Sequence, residues 1–157
     1  MKPIFISLQL WNETWSGLRK RGGARRESAC IWAGDRTKDS ERVSRVVYLD
    51  DLPDVTAGMK HHRASREATR ALFQDLRKHG EQIVADVHTH PRAWVGLSTV
   101  DEEHPIEFRP GLPAIVIPNL ARGSPRVEAI GLHEYLGHGR WQRLEEVQLY
   151  LKIGGSE

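Results

Sequence analysis

The segment His88-Thr-His-Pro-Arg-Ala-Trp-Val-Gly-Leu-Ser-Thr-Val-Asp101 carries two histidines, a serine and an aspartate at spacings that suit a metal. Residues two apart in a strand project from the same face, so His88 and His90, at the end of the apolar run Ile83 to Val87, present two imidazoles to one point. Pro91 cannot donate to a ladder and ends the strand there, leaving the second imidazole at the strand tip within reach of solvent. Asp101, beyond a loop containing Gly96, offers the carboxylate of a two-nitrogen, one-oxygen ligand set. Three protein ligands with a fourth position left to water is the arrangement of catalytic zinc, which brings the water's pKa to about 7. Hydrolysis is the matching reaction class. It also needs a base for the water's proton and a donor for the oxyanion, for which Glu27 and Ser98 are the candidates, although spacing alone does not place them.

The elements that must position these groups alternate between strand and helix. Ile4 to Leu10 alternates apolar with polar and reads as a strand, followed by a helix with Trp11, Trp15 and Leu18 on one face. That helix ends at Gly22 and Gly23 with Arg19, Lys20 and Arg21 in its last turn, where cations suit the helix dipole. Glu27 to Gly34 and Arg45 to Leu49 read as two strands of a hairpin, separated by a polar stretch around Asp35 to Ser40. Asp50 to Lys60, with Pro53 and Gly58, reads as a loop. Ser65 offers an N-cap for a helix carrying Ala68, Leu72, Phe73 and Leu76 and closed by Lys78, His79 and Gly80. Ile83 to Val87 and Ala114 to Ile117 are further strands. Arg126 to Leu136, Arg140 to Leu144 and Val147 to Ile153 suggest a closing antiparallel set. His104 to Pro118, with four prolines, is the most irregular stretch, a candidate functional loop.

At 157 residues the chain fits one domain, residues 1–157, without internal repeat or linker. A hydrophobic content of 39% with 28% charged residues describes a folded globular chain rather than a disordered one. A net charge of +2 is too small an imbalance to indicate nucleic acid. The local run Arg19, Lys20, Arg21, Arg25, Arg26 is read first as a helix terminus and solvated loop, with an acidic partner or RNA as the lesser reading. The single cysteine, Cys30, excludes an internal disulfide framework and multi-cysteine zinc sites and fits a reducing compartment such as the cytoplasm. No run of about 18 apolar residues is available for a membrane span, and the N-terminal apolar run is too short for a signal peptide.

His88-x-His90, ten residues, then Asp101, with Pro91 after the second histidine and Ser98 three before the aspartate, resembles the signature of the JAMM (MPN-plus) zinc metalloproteases. In that family a glutamate at the start of an upstream strand is the general acid/base, and Glu27 before Ser-Ala-Cys-Ile-Trp-Ala-Gly34 stands in the matching context. The resemblance covers about Ile4 to Pro118. It implies an MPN-type, cytidine-deaminase-like α/β fold, a curved mixed sheet flanked by helices near Trp11 to Arg21 and Ser65 to His79, with zinc at its edge. It further implies that His88, His90 and Asp101 hold Zn2+, that Glu27 moves the proton to the leaving amine, and that Ser98 stabilises the oxyanion. The implied activity is cleavage of isopeptide or peptide bonds at the C-terminus of a ubiquitin-like protein or its conjugates. The compact length is similar to prokaryotic members, including those encoded with bacterial ubiquitin-like conjugation enzymes in antiviral operons and those acting on ubiquitin-fold sulfur-carrier proteins. Leu97, where many members have proline, and Glu102 to Pro110, where a helix often follows the aspartate, depart from the pattern and bear on the substrate groove.

Blander roles stand beside these. Glu27 can pair with Arg25 or Arg26, Ser98 can cap a short helix through Asp101, and Asp86, in phase with His88, reads as a paired structural carboxylate or an orienting partner of that imidazole. His61, His62, His104, His133 and His138 read as surface or loop residues, and Cys30 as a buried apolar thiol. Trp94 either packs over the site or meets a substrate tail. Amidohydrolase-like barrels need about 250 residues, and two amphipathic helices argue against a cupin. A noncatalytic MPN scaffold is the remaining alternative.

Overall fold

The structure is a computed structural model that describes residues 1–23, 25–52 and 65–154. Pro53 to Lys60 of the expected loop, together with His61 and His62, lie outside the described residues. Among the described residues the elements run β1 (Ile4–Ile6), α1 (Leu8–Gly22), β2 (Ala29–Arg36), β3 (Glu41–Tyr48), α2 (Arg66–His79), β4 (Gln82–Thr89), α3 (Thr99–Glu103), β5 (Pro113–Ile117), β6 (Gly131–Gly137), β7 (Arg140–Arg143), α4 (Val147–Tyr150) and β8 (Leu151–Ile153). One mixed sheet has the order β7-β6-β5-β4-β2-β3-β1-β8. β4 lies inside it, antiparallel to β2 and parallel to β5. The fold class expected from the sequence is the one found, and the two histidines stand, as the spacing and Pro91 require, at the C-terminal end of a strand, the interior strand β4.

Each helix covers one face. Trp11, Trp15 and Leu18 of α1 are buried with Cys30, Trp32, Val87, Ile115 and Leu132. Trp11 meets Trp32 edge to face at 6.3 Å, and the Trp32 indole N–H donates to Thr14 Oγ1 at 2.9 Å. Leu72 and Leu76 of α2 close the other face over Ala29, Ile31, Ala33 and Val47. Both helices begin on a serine: Ser7 accepts from the Leu10 N–H and Ser65 from the Ala68 N–H. They end at Gly23 and Gly80, whose N–H groups return to the last-turn carbonyls.

Several boundaries differ from the sequence reading, each for a local reason. The first strand stops at Ile6 because Ser7 caps the helix. β2 and β3 run on to Arg36 and back from Glu41, since an Arg36–Glu41 ion pair at 3.1 Å and the Thr37 hydroxyl confine the turn to 37–40. Arg126 to Ile130 holds a single 3₁₀ turn, so the strand there begins at Gly131. The last segment is a correction: Val147 to Tyr150 is helical, and β8 joins β1 in parallel at the far edge instead of extending an antiparallel set. The basic run ends α1 as expected, with Arg19, Lys20 and Arg21 in its last turn, but it is less solvated than its sequence suggests. Arg21 pairs with Asp51 and lies 3.6 Å over the Tyr48 ring, Arg26 pairs with Asp50 at 3.5 Å, and Arg19 reaches the carbonyls of Ala121 and Gly123. Three of the five cations thus fasten the α1–β2 connection to its neighbours. No helix among the described residues is long and apolar enough to cross a membrane.

Gly17 tests how closely α1 sits on β3. Alanine in a helix normally gains about 1 kcal/mol over glycine. Here an added Cβ would fall 1.9 Å from the Tyr48 hydroxyl, which donates to the Glu13 carbonyl at 2.8 Å. Gly17→Ala is therefore expected to destabilise by about 1–3 kcal/mol in urea unfolding; a stabilised variant would show that this contact is loose.

Candidate metal centre

His88 and His90 leave β4 on either side of Thr89, which is itself buried and tied to Ser28: the Ser28 N–H donates to Thr89 Oγ1 at 3.0 Å and the Thr89 N–H to the Ser28 carbonyl at 3.0 Å. This fastens the strand carrying the imidazoles to the residue after Glu27. His90 is gripped on its other side by the Asn119–Ala121 turn. The His90 N–H donates to the Ile117 carbonyl at 2.9 Å, and the Leu120 N–H donates to the His90 carbonyl at 2.8 Å. Asn119, Leu120 and Ala121 all have φ between 54° and 58°, a left-handed run that costs each non-glycine residue about 1 kcal/mol or more.

Asp101 arrives on α3 through a reciprocal cap. Its backbone N–H donates to Ser98 Oγ at 3.2 Å, while the Ser98 N–H and hydroxyl both donate to Asp101 Oδ2 at 2.7 Å. That oxygen faces both imidazoles: it lies 3.6 Å from His88 Nε2 and 3.5 Å from His90 Nε2, and the two Nε2 atoms are 3.2 Å apart. A tetrahedral ion with bonds of about 2.0–2.1 Å spaces its ligand atoms by about 3.3–3.4 Å, so the triangle has the size zinc requires. His90 Nδ1 stands 3.1 Å from the Trp94 carbonyl. A carbonyl only accepts, so Nδ1 carries the hydrogen and Nε2 of the neutral ring turns a lone pair toward the centre, the orientation a metal ligand needs.

Both histidines are buried and Asp101 is partly so. Burial by itself would push the Asp101 carboxyl up, but the hydrogen bond and charge of His88, with the hydrogen bond from Ser98, outweigh it and hold the group far below the usual carboxylate range. For His88, burial pushes the imidazole down, and the opposing pull of Asp101, Asp86 and Glu27 leaves it raised. Glu27, two residues before β2, lines an open cleft of about 290 Å³ with His90, Arg92, Trp94, Ser98 and Asp101. A smaller cavity behind His88 is lined by Asp86, His104 and Ala114 among others. His104 is thus half-buried beside the centre rather than on the open surface. His133 is a correction as well: it is buried in β6, and burial, aided by the nearby Arg143 and His88, lowers its imidazole to about 4. Cys30 is fully buried, and that burial raises its thiol.

Protons and a divalent cation compete for the same atoms. In the metal-free protein the raised His88 adds stability that is complete below its unfolded value of about 6.5 and fades as pH rises through the folded value. The lowered Asp101 adds stability that is present above its unfolded value of about 3.9 and is lost only as pH falls toward its folded value. The metal-free Tm contribution of this pair is greatest between those two unfolded values, and the rise in Tm on adding zinc is expected to be larger at about pH 7.5 than at about pH 5.5. Thermal unfolding with and without zinc checks this; an equal or larger rise at the lower pH contradicts the ligand set.

A family model described as prokaryotic homologs of the JAB domain matches residues 17–104, a span that holds Glu27, His88, His90, Ser98 and Asp101. Among solved structures, a protein from Desulfitobacterium hafniense superposes with a TM-score of 0.67 at 20% identity, covering 96% of this chain and 92% of that one. A protein from Salinibacter ruber gives 0.61 at 14% identity, covering 92% and 88%. A JAB1/MPN domain protein from Archaeoglobus fulgidus gives 0.52 at 15% identity, covering 97% and 96%. At these identities the likeness is one of fold, and the family match carries the assignment: the chain belongs to the prokaryotic homologs of the JAB domain.

Proposed function

We propose that this protein is a zinc metalloprotease that hydrolyses an isopeptide or peptide bond at the C-terminus of a ubiquitin-like protein, either stripping conjugates or maturing a precursor. The observation that carries the reading is the convergence of His88 Nε2, His90 Nε2 and Asp101 Oδ2 on one point, beside a cleft that His90 and Asp101 line together with Glu27 and Ser98. His88, His90 and Asp101 would hold the zinc, which when bound supplies the Lewis acidity that makes water a nucleophile near neutral pH. Glu27 accepts the water's proton and returns it to the leaving amine, acting as base and then acid. Ser98 orients Asp101 through the cap, and its hydroxyl hydrogen, which donates to Asp101 Oδ2 in this structure, would turn to the oxyanion once the zinc takes up that oxygen. The proposal treats residues 1–157 as one catalytic domain acting in a reducing cytoplasm, and a bacterial ubiquitin-like conjugation system of the antiviral type is the setting that suits it.

Glu27→Gln separates the base from the ligand set. It is expected to bind zinc as the unaltered protein does and to cleave a ubiquitin-fold precursor with a short C-terminal extension about 10²–10⁴-fold more slowly. An unchanged rate removes Glu27 from the mechanism. Normal zinc content with no cleavage by the unaltered protein, across precursors and isopeptide conjugates, points instead to a noncatalytic scaffold.

A further inference from the structure

Trp94 is 57% exposed, a large apolar side chain in a cleft with Glu27 and Ser98. Its indole stacks on the His90 imidazole, with centroids 5.1 Å apart and planes at 17°. An exposed tryptophan on a loop ordinarily has freedom to move; this one is held at several points. A Cβ at Gly96 would fall 2.5 Å from the indole, so the ring occupies the space that glycine leaves open. The next residue, Val95, is buried, and its carbonyl lies where a Cβ on Gly131 would be, at 2.0 Å, so the loop backbone rests directly on β6. The Arg92 carbonyl accepts from the Asn119 N–H at 3.0 Å. Two close approaches to glycine and a backbone hydrogen bond therefore hold an apolar ring in place while leaving much of it open to solvent.

Core packing does not account for this, because more than half of the side chain stays wet. His90 does not require it either, since the backbone carbonyl of Trp94, which any residue supplies, sets the tautomer. We propose that Trp94 is a substrate-positioning residue, an aromatic platform whose open surface receives the planar peptide groups of the chain threading the cleft. The substrate class it favours is an extended, glycine-rich C-terminal tail, because a peptide plane flanked by residues without a Cβ lies flat on the ring. This rests on the protease reading above and adds to it the residue that selects the tail.

The test uses the zinc-loaded Glu27→Gln protein, which retains the cleft while turning over about 10²–10⁴-fold more slowly, titrated calorimetrically with two synthetic hexapeptides ending in Gly-Gly or Ala-Ala. The Gly-Gly peptide is expected to bind more tightly. Adding Trp94→Ala weakens its binding about three- to tenfold and removes the preference, whereas Trp94→Phe stays within about twofold. In the protein with Glu27 intact, Trp94→Ala raises KM and leaves kcat nearly unchanged, as loss of uniform binding does. Unchanged peptide affinity in Trp94→Ala overturns the platform and leaves the protease reading standing. Loss of zinc in both Trp94 variants overturns it too, making the indole a support for His90. Failure of the zinc-loaded parent to bind either peptide removes the protease reading, and the platform with it.

Discussion

Three electron-pair donors held at 3.2–3.6 Å around one point repel one another unless a cation or a proton sits among them. That repulsion is the constraint the rest of this structure serves. The His90–Trp94 hydrogen bond commits one imidazole to offering its lone pair inward, and the Ser98 cap turns the carboxylate to face it. Without a cation the carboxylate beside His88 favours the protonated ring, and the ring's hydrogen bond favours the ionised carboxylate, which is why His88 is raised and Asp101 lowered. A zinc ion held there would answer the same electrostatic demand with the stronger charge.

Holding donors together against repulsion needs a stiff frame, and the surroundings of β4 supply one. The strand is paired on both sides, by β2 and β5, so its tip cannot peel away from the sheet. Ser28 links that tip to the chain just after Glu27, and the left-handed turn at Asn119–Ala121 clasps His90 from the opposite side. Backbone strain in three consecutive non-glycine residues survives only where neighbours over-determine it, and here it lies directly against a residue of the site. The ion pairs of Arg21 and Arg26 with Asp51 and Asp50 extend the frame to the segment that carries Glu27.

Much of this was legible in the sequence because short-range geometry wrote it. The two-residue spacing of His88 and His90, the proline after them and the serine three before Asp101 each encode a local rule, and the helices announced themselves by apolar faces and, at Ser65 and Ser98, by serine caps, whereas Ser7 read as part of the first strand. What the sequence hid depended on long-range contacts. Arg19, Arg21 and Arg26 read as a helix terminus and solvated loop without their pairings because their partners, the carbonyls at 121 and 123 and the carboxylates at 50 and 51, are distant along the chain. His133 read as a surface or loop residue because β6, which carries it, is paired on both sides, by β5 and β7, and β8 read as antiparallel because its true neighbour is the first strand. Gly96 gave no sign that its missing side chain makes room for Trp94.

The central claim is that His88, His90 and Asp101 form a zinc site, and elemental analysis of the purified protein beside Asp101→Ala tests it most directly. The account predicts about one zinc per chain in the unaltered protein and its loss in the variant, with both folded by circular dichroism. A protein that stays metal-free when zinc is supplied, or a variant that keeps its zinc, would contradict it.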